Sequence, residues 1–296
     1  MKNNENITNN PMKNWLLSHP RLNPYLISKI GFGRAATSFL RVPPNFLIIG
    51  AEKAGTTSLY DYLTQHPAII PAITKEIHYF DINFIGFWWY KSHFPTIFQK
   101  NSIIRKYGKF ITGEATPHYL FHPLAPKRIS QILPNVKLIV ILRNPIDRAY
   151  SHYQEIVRKN LENLSFEEAI KKENERLEGE KEKILSNPKY NSSNYWVYSY
   201  LSTGIYIQQL KTWFDFFSKN QFLTLKTEDL ENHPEQVLNE IFSFLDVRNC
   251  SITNLKKMNV GTYDKMESYT RKYLQDYYSH YNKELETLLN MKFEWS

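Results

Sequence analysis

The sequence predicts an α/β fold, a central parallel sheet with helices packed on both faces. Three short apolar runs predict it: Asn45 to Ile49 (NFLII), Val136 to Leu142 (VKLIVIL) and Gln221 to Leu225 (QFLTL). Each has the length of a strand and the near-continuous apolar character of one buried on both sides. Between them the periodicity is helical, as at Tyr206, Leu210, Trp213, Phe214 and Phe217. Strand and helix alternating along a chain give parallel strands joined by crossovers that cover the sheet.

At 296 residues the chain is long enough for one large α/β domain. Its 42% hydrophobic and 22% charged residues are ordinary globular usage and exclude collagen-like and wholly disordered classes. One cysteine, Cys250, excludes an intramolecular disulfide and a thiolate zinc site of its own, and favours a reducing compartment. No apolar run approaches the roughly 18 residues of a membrane helix. The expectation is a cytoplasmic protein with no membrane partner. Lys and Arg outnumber Asp and Glu by 37 to 29, a net charge of +8, so the surface should attract anions. The basic residues form no long block, and zinc-finger, homeodomain and basic-zipper signatures are absent, so nucleic acid is not the expected anion.

The chain opens on an asparagine-rich stretch, Met1 to Asn14, without the apolar core of a secretory signal. Residues 1–40 are expected to form a partly disordered lead-in and residues 41–296 a single domain. After Pro43-Pro44, the first strand runs into Gly50-Ala51-Glu52-Lys53-Ala54-Gly55-Thr56-Thr57-Ser58 and then a helix from Leu59. A strand, a turn of small residues, hydroxyls and a helix start make an anion cradle, because backbone N–H groups and the helix dipole both favour negative charge. It is not a nucleoside-triphosphatase loop, which ends in Gly-Lys-Ser/Thr; here Lys53 precedes Gly55 by two residues and Thr56 follows the glycine directly. On this loop alone, phosphate binding and a structural turn with a surface lysine both stay open.

A second cluster follows the second apolar run: Arg143-Asn144-Pro145-Ile146-Asp147-Arg148-Ala149-Tyr150-Ser151, with Pro145 ending the strand and helix from Arg148 onward. Arg143 stands at the carboxyl end of a strand, where open α/β sheets bind ligands. Its planar fork suits phosphate, and Ser151 offers a hydroxyl from the helix. Taken alone, an arginine at a strand end is more often a surface ion pair, but two anion sites after two central strands are harder to dismiss.

From Ser165 to Ser186 the chain is densely charged, a helical insert at about 160–190 read as a solvated surface helix, with Ser165 and Glu168 spaced as a capping box. The aromatic stretch Tyr190 to Tyr206 either packs as core or lines a pocket. Glu114, His118 and His122 are spaced i, i+4, i+8, but Pro117 and Pro123 break the helix that would align them, and no metal site is expected. Tyr269, Tyr273, Tyr277, Tyr278 and Tyr281 recur at near-helical spacing, as in a packed amphipathic helix.

Taken together, PNFLIIGAEKAGTTSLYDYL resembles the 5′-phosphosulfate loop of sulfotransferases and LIVILRNPIDRAYSHY resembles their 3′-phosphate motif. Lys75-Glu76-Ile77-His78-Tyr79-Phe80-Asp81 is similar to a stretch of the heparan sulfate sulfotransferase branch, as are Gly113 to Leu120 and the Gly204 to Phe217 helix. The resemblance implies a P-loop-like three-layer α/β/α fold and a donor, 3′-phosphoadenosine 5′-phosphosulfate, bound without a metal. By position it implies that Lys53, Ala54, Gly55, Thr56, Thr57 and Ser58 hold the 5′-phosphosulfate and that Arg143 and Ser151 hold the 3′-phosphate. Gly261, Thr262 and Tyr263 fall where the family has a loop over the nucleotide. The resemblance makes Glu76 the general base, with Lys75 and His78 tuning it or touching the acceptor and Asp81 orienting one of them. Lys53 would stabilise the leaving phosphate.

The acceptor implied is a hydroxyl or amine of a carbohydrate or small molecule. Ala115 stands where animal relatives often carry a lysine, so one acidic-glycan contact is missing. The aromatics of Tyr190 to Tyr206 and Trp88-Trp89 are candidates to stack on a ring. A small-molecule kinase, which would need magnesium and a Walker-type Lys-Ser/Thr, and a non-catalytic nucleotide-binding module are the competing readings.

Overall fold

A computed structural model of the protein describes residues 34–256 and 263–295. Five strands form one sheet, all parallel: β1 (Phe46–Gly50), β2 (Ile69–Pro71), β3 (Ile111–Ala115), β4 (Lys137–Leu142) and β5 (Phe222–Lys226), in the spatial order β2-β3-β1-β4-β5. The expected central parallel sheet is therefore present. Three of its strands are the apolar runs of the sequence, each beginning one residue later than expected. The chain turns left from β1 through β2 to β3 and then crosses to β4 on the other side. The carboxyl ends of β1 and β4 thus lie side by side at the switch point, where such sheets leave a crevice.

The two other strands differ from their surroundings for physical reasons. β2 is three residues long, too short for periodicity to show. β3 reads ITGEA, with a glutamate that no buried strand advertises, yet Glu114 is fully buried in it. Three hydroxyls compensate: Tyr90, Tyr119 and Thr116 donate to its carboxylate at 2.9, 3.0 and 2.6 Å.

Helices cover both faces: α1 (Thr56–Thr64), α2 (Phe87–Lys91), α3 (Ile97–Tyr107), α4 (Ala125–Ile132) and α5 (Pro145–Arg158). α1 begins three residues before Leu59, because Gly55 supplies its start. α5 begins at Pro145, three residues before Arg148. Proline has no N–H to lose at a first helical position, and the Asn144 side chain caps the turn by accepting from Ile146 N–H at 3.0 Å.

The charged insert is helical and largely exposed, as its composition suggests, but one of its faces is buried. It forms α6 (Phe166–Leu177), with the anticipated Ser165–Glu168 capping box, then α7 (Glu180–Ser186) and α8 (Ser193–Val197). Phe166, Ala169, Ile170 and Glu173 of α6 are buried. Glu173 accepts from the N–H groups of Leu201 and Ser202 at 2.6 and 2.8 Å, so one carboxylate fastens the insert to the domain. Such anchoring is invisible to a charge count, because it depends on residues about thirty positions away.

The remaining helices are α9 (Tyr206–Phe214), α10 (Thr227–Asn232), α11 (Pro234–Leu245) and α12 (Ser268–Leu289). Trp213 of α9 is fully buried, its indole N–H donating to Leu120 O at 3.0 Å. α12 is the tyrosine-rich helix. It buries Leu274, Tyr278 and Leu285, while Tyr269 and Tyr273 face outward. Gly204, at the turn before α9, lets α12 and α5 come close: a Cβ there would lie 2.7 Å from Tyr278 Oη and 3.1 Å from Pro145 Cβ.

Candidate active site

Two groups of residues meet above the carboxyl end of the sheet. The first is the loop after β1. Gly55 adopts φ 89 as the N-cap of α1 and contributes no capping side chain, so no side-chain oxygen competes for the first-turn N–H groups. Thr227, the first residue of the helix that follows β5, ties the loop to the sheet: its hydroxyl donates to Ala54 O at 2.8 Å and lies 3.0 Å from Leu142 O. Ala54 through Ser58 thus form the turn and the head of α1, as their spacing suggested.

Arg143 closes the other side. Its guanidinium donates to Lys53 O at 3.1 Å, and its own carbonyl accepts from Tyr206 Oη at 3.0 Å. The two anion motifs, 90 residues apart in sequence, are therefore in direct contact. Ser151 lies in α5, buried, its hydroxyl without a partner among the described residues. Lys53 holds a left-handed backbone, φ 66, a conformation that side chains rarely adopt. Its ammonium donates to Glu155 at 2.5 Å. Burial alone would raise the Glu155 carboxyl, but Lys53 and Lys159 outweigh it and hold it well below the usual carboxylate range. Glu155 was not singled out from the sequence; its place one helical turn after Ser151 was the available signal.

The second group follows β2. Glu76 accepts from Lys75 at 2.5 Å and lies 3.6 Å from His78 Nε2. His78 also has a left-handed backbone, φ 54, and its Nδ1 bonds Asp81 at 2.8 Å. Burial would raise the Glu76 carboxyl, yet Lys75 and His78 hold it down to about 2. Burial would lower His78, yet Asp81 and Glu76 push it up to about 10, so His78 is an imidazolium and Glu76 a carboxylate at neutral pH.

His118, considered from sequence only as a metal ligand, instead bonds Asp81 at 3.0 Å and stacks on Trp196 with ring centroids 3.9 Å apart. Trp196 belongs to the aromatic stretch, which here packs over the histidines. Burial pushes the Glu114 carboxyl up to about 7; it also lies 3.4 Å from the N–H of Ile77, beside Glu76.

The groups are joined through Thr116. Its N–H donates to Ile48 O of β1 at 3.1 Å, and its hydroxyl lies 3.5 Å from His78 N. Of the remaining expected residues, Gly261 and Thr262 lie outside the described residues. Tyr263 packs edge-on against Tyr150 at 5.5 Å.

The helix-capping loop on the parallel sheet thus lies on the same edge as an ionised carboxylate paired with two cations. The chain belongs to the sulfotransferase domain family, whose match spans residues 43–287. It is 30% identical to the membrane-associated sulfotransferase kil1 of Dictyostelium discoideum over 85% of this chain and 66% of that one. It is 29% identical to bifunctional heparan sulfate N-deacetylase/N-sulfotransferase 4 of Mus musculus over 83% of this chain but only 30% of the relative. The chain therefore spans less than two thirds of either relative's length. A solved sulfotransferase from Alicyclobacillus acidocaldarius aligns with a TM-score of 0.66 and 29% identity, covering 86% of this chain and 99% of that one. Among the described residues, no helix is long and apolar enough to cross a membrane.

Proposed function

We propose that the protein transfers a sulfuryl group from 3′-phosphoadenosine 5′-phosphosulfate to a hydroxyl or amine of a carbohydrate or small molecule. The contact between Arg143 and Lys53 carries this reading, because it brings the two separate motifs suited to phosphate side by side, as a bisphosphorylated nucleotide needs. The residues fit such a ligand. Gly55 leaves open space above the loop, where an added Cβ would meet nothing nearer than 3.9 Å, and the Ser151 hydroxyl has no competing partner among the described residues.

The donor supplies an activated sulfuryl group and a phosphate that gains negative charge as it leaves. The first-turn N–H groups of α1, fixed at the cradle before reaction begins, neutralise that charge together with Lys53. Arg143 and Ser151 hold the 3′-phosphate. Glu76 takes the proton of the acceptor as its oxygen or nitrogen bonds to sulfur. A carboxylate held at about 2 is a weak base, so this transfer comes late, when bond formation has made the acceptor proton acidic. His78, fixed by Asp81, keeps Glu76 ionised and oriented until then.

Calorimetry with 3′-phosphoadenosine 5′-phosphate in magnesium-free buffer tests the reading. Binding that Lys53→Ala and Arg143→Ala each weaken by about tenfold or more supports it. Absence of binding, with ATP taken up only when magnesium is added, overturns it in favour of a kinase.

A further inference from the structure

The lysine expected to serve the donor is engaged elsewhere. Lys53 Nζ donates to Glu155 Oε2 at 2.5 Å, and Lys159 donates to the other oxygen of the same carboxylate. Both members of the Lys53–Glu155 pair are largely buried, with side-chain exposures of 17% and 19%. Glu155 lies four residues after Ser151 on α5, so a single helix face brings to one anion site both a hydroxyl suited to phosphate and a negative charge. A carboxylate repels a polyanionic nucleotide, and its place beside the cradle calls for a cation on which it acts.

The geometry points to Glu155 as a dock for Lys53: it holds the ammonium while the cradle is empty, yields it to the donor, and takes it back as the nucleotide product leaves. Two features permit the exchange. Arg143 anchors Lys53 by its backbone carbonyl, so the side chain swings while the loop stays fixed. Lys159 remains on Glu155 when Lys53 departs, so no buried carboxylate is left without a cation. The dock sets donor and product affinity below what the cradle alone provides. Glu155 is thus a positioning residue, acting on the nucleotide through Lys53. The inference rests on the proposed donor.

A double-mutant cycle tests it, read by calorimetry with 3′-phosphoadenosine 5′-phosphate. Glu155→Gln in the otherwise unchanged protein should bind the nucleotide about tenfold more tightly, since Lys53 no longer has a charged competitor. A gain of affinity cannot arise from misfolding. In a Lys53→Ala background, the same substitution should change affinity by less than about twofold. Equal tightening in both backgrounds would make Glu155 a general repulsive charge and overturn the dock. Unchanged or weaker binding by Glu155→Gln alone would overturn it as well. If the unsubstituted, folded protein binds no nucleotide, the donor reading falls first and the dock with it.

Discussion

His78 and His118 bond the same carboxylate oxygen of Asp81, through their Nδ1 atoms at 2.8 and 3.0 Å. An ionised carboxylate only accepts, so both Nδ1 atoms must carry protons, and both rings turn their Nε2 atoms away from Asp81. For His78 that direction is Glu76. The fully buried Asp81 thereby sets the orientation and charge of the group facing the proposed base.

Glu76→Gln should remove the proton acceptor while leaving the cradle intact. Sulfuryl transfer, followed as release of 3′-phosphoadenosine 5′-phosphate at saturating acceptor, is expected to fall by about 10²- to 10⁴-fold. Calorimetric affinity for that nucleotide should stay within about twofold. Loss of both together would place Glu76 in donor binding instead.

The raised His78 ties stability to pH. Its folded value of about 10 lies above the unfolded histidine value, so its contribution is complete below about 6.5 and is lost as pH rises toward 10. Urea midpoints measured across that window should fall in the wild type. Asp81→Asn, lacking the carboxylate that holds the proton, should be less stable at pH 6.5 and show a shallower decline. Parallel curves would show that Asp81 does not control His78.

Thr227→Val keeps the side chain's shape and removes the hydroxyl that reaches both Ala54 O and Leu142 O. The expected cost is about 1–2 kcal/mol in denaturant unfolding. Nucleotide binding should weaken as well, since the loop after β1 loses its tie to β4; unchanged affinity would show that the tie serves only the fold.

Gly204→Ala would drive a methyl group into Tyr278 Oη and Pro145 Cβ. Overpacking of this kind costs about 1–3 kcal/mol. A melting temperature equal to the wild type's would mean that α12 can retreat from α5 without penalty.

The sequence made β1, β4 and β5 legible because strands buried on both faces must be apolar at nearly every position. It hid β3, where Glu114 is accommodated by Tyr90, Tyr119 and Thr116, residues whose convergence only folding creates. Both anion motifs could be read because each combines a strand end with a helix start in one continuous segment. The Lys53–Glu155 pair and the packing of Trp196 on His118 could not, since each joins residues 78 or more positions apart and leaves no local pattern.

Lys53 and His78, one at each pole of the proposed reaction, share a backbone conformation that glycine would occupy at almost no cost, whereas any other side chain pays roughly 1–2 kcal/mol. That backbone cost is offset by the ion pairs the two side chains make, His78 with the buried Asp81 and Lys53 with Glu155, so glycine at either position would relax the turn and leave a carboxylate short of a cation. Endurance and reactivity draw on the same two side chains, and a thermostabilised version of this protein must be built with both held constant.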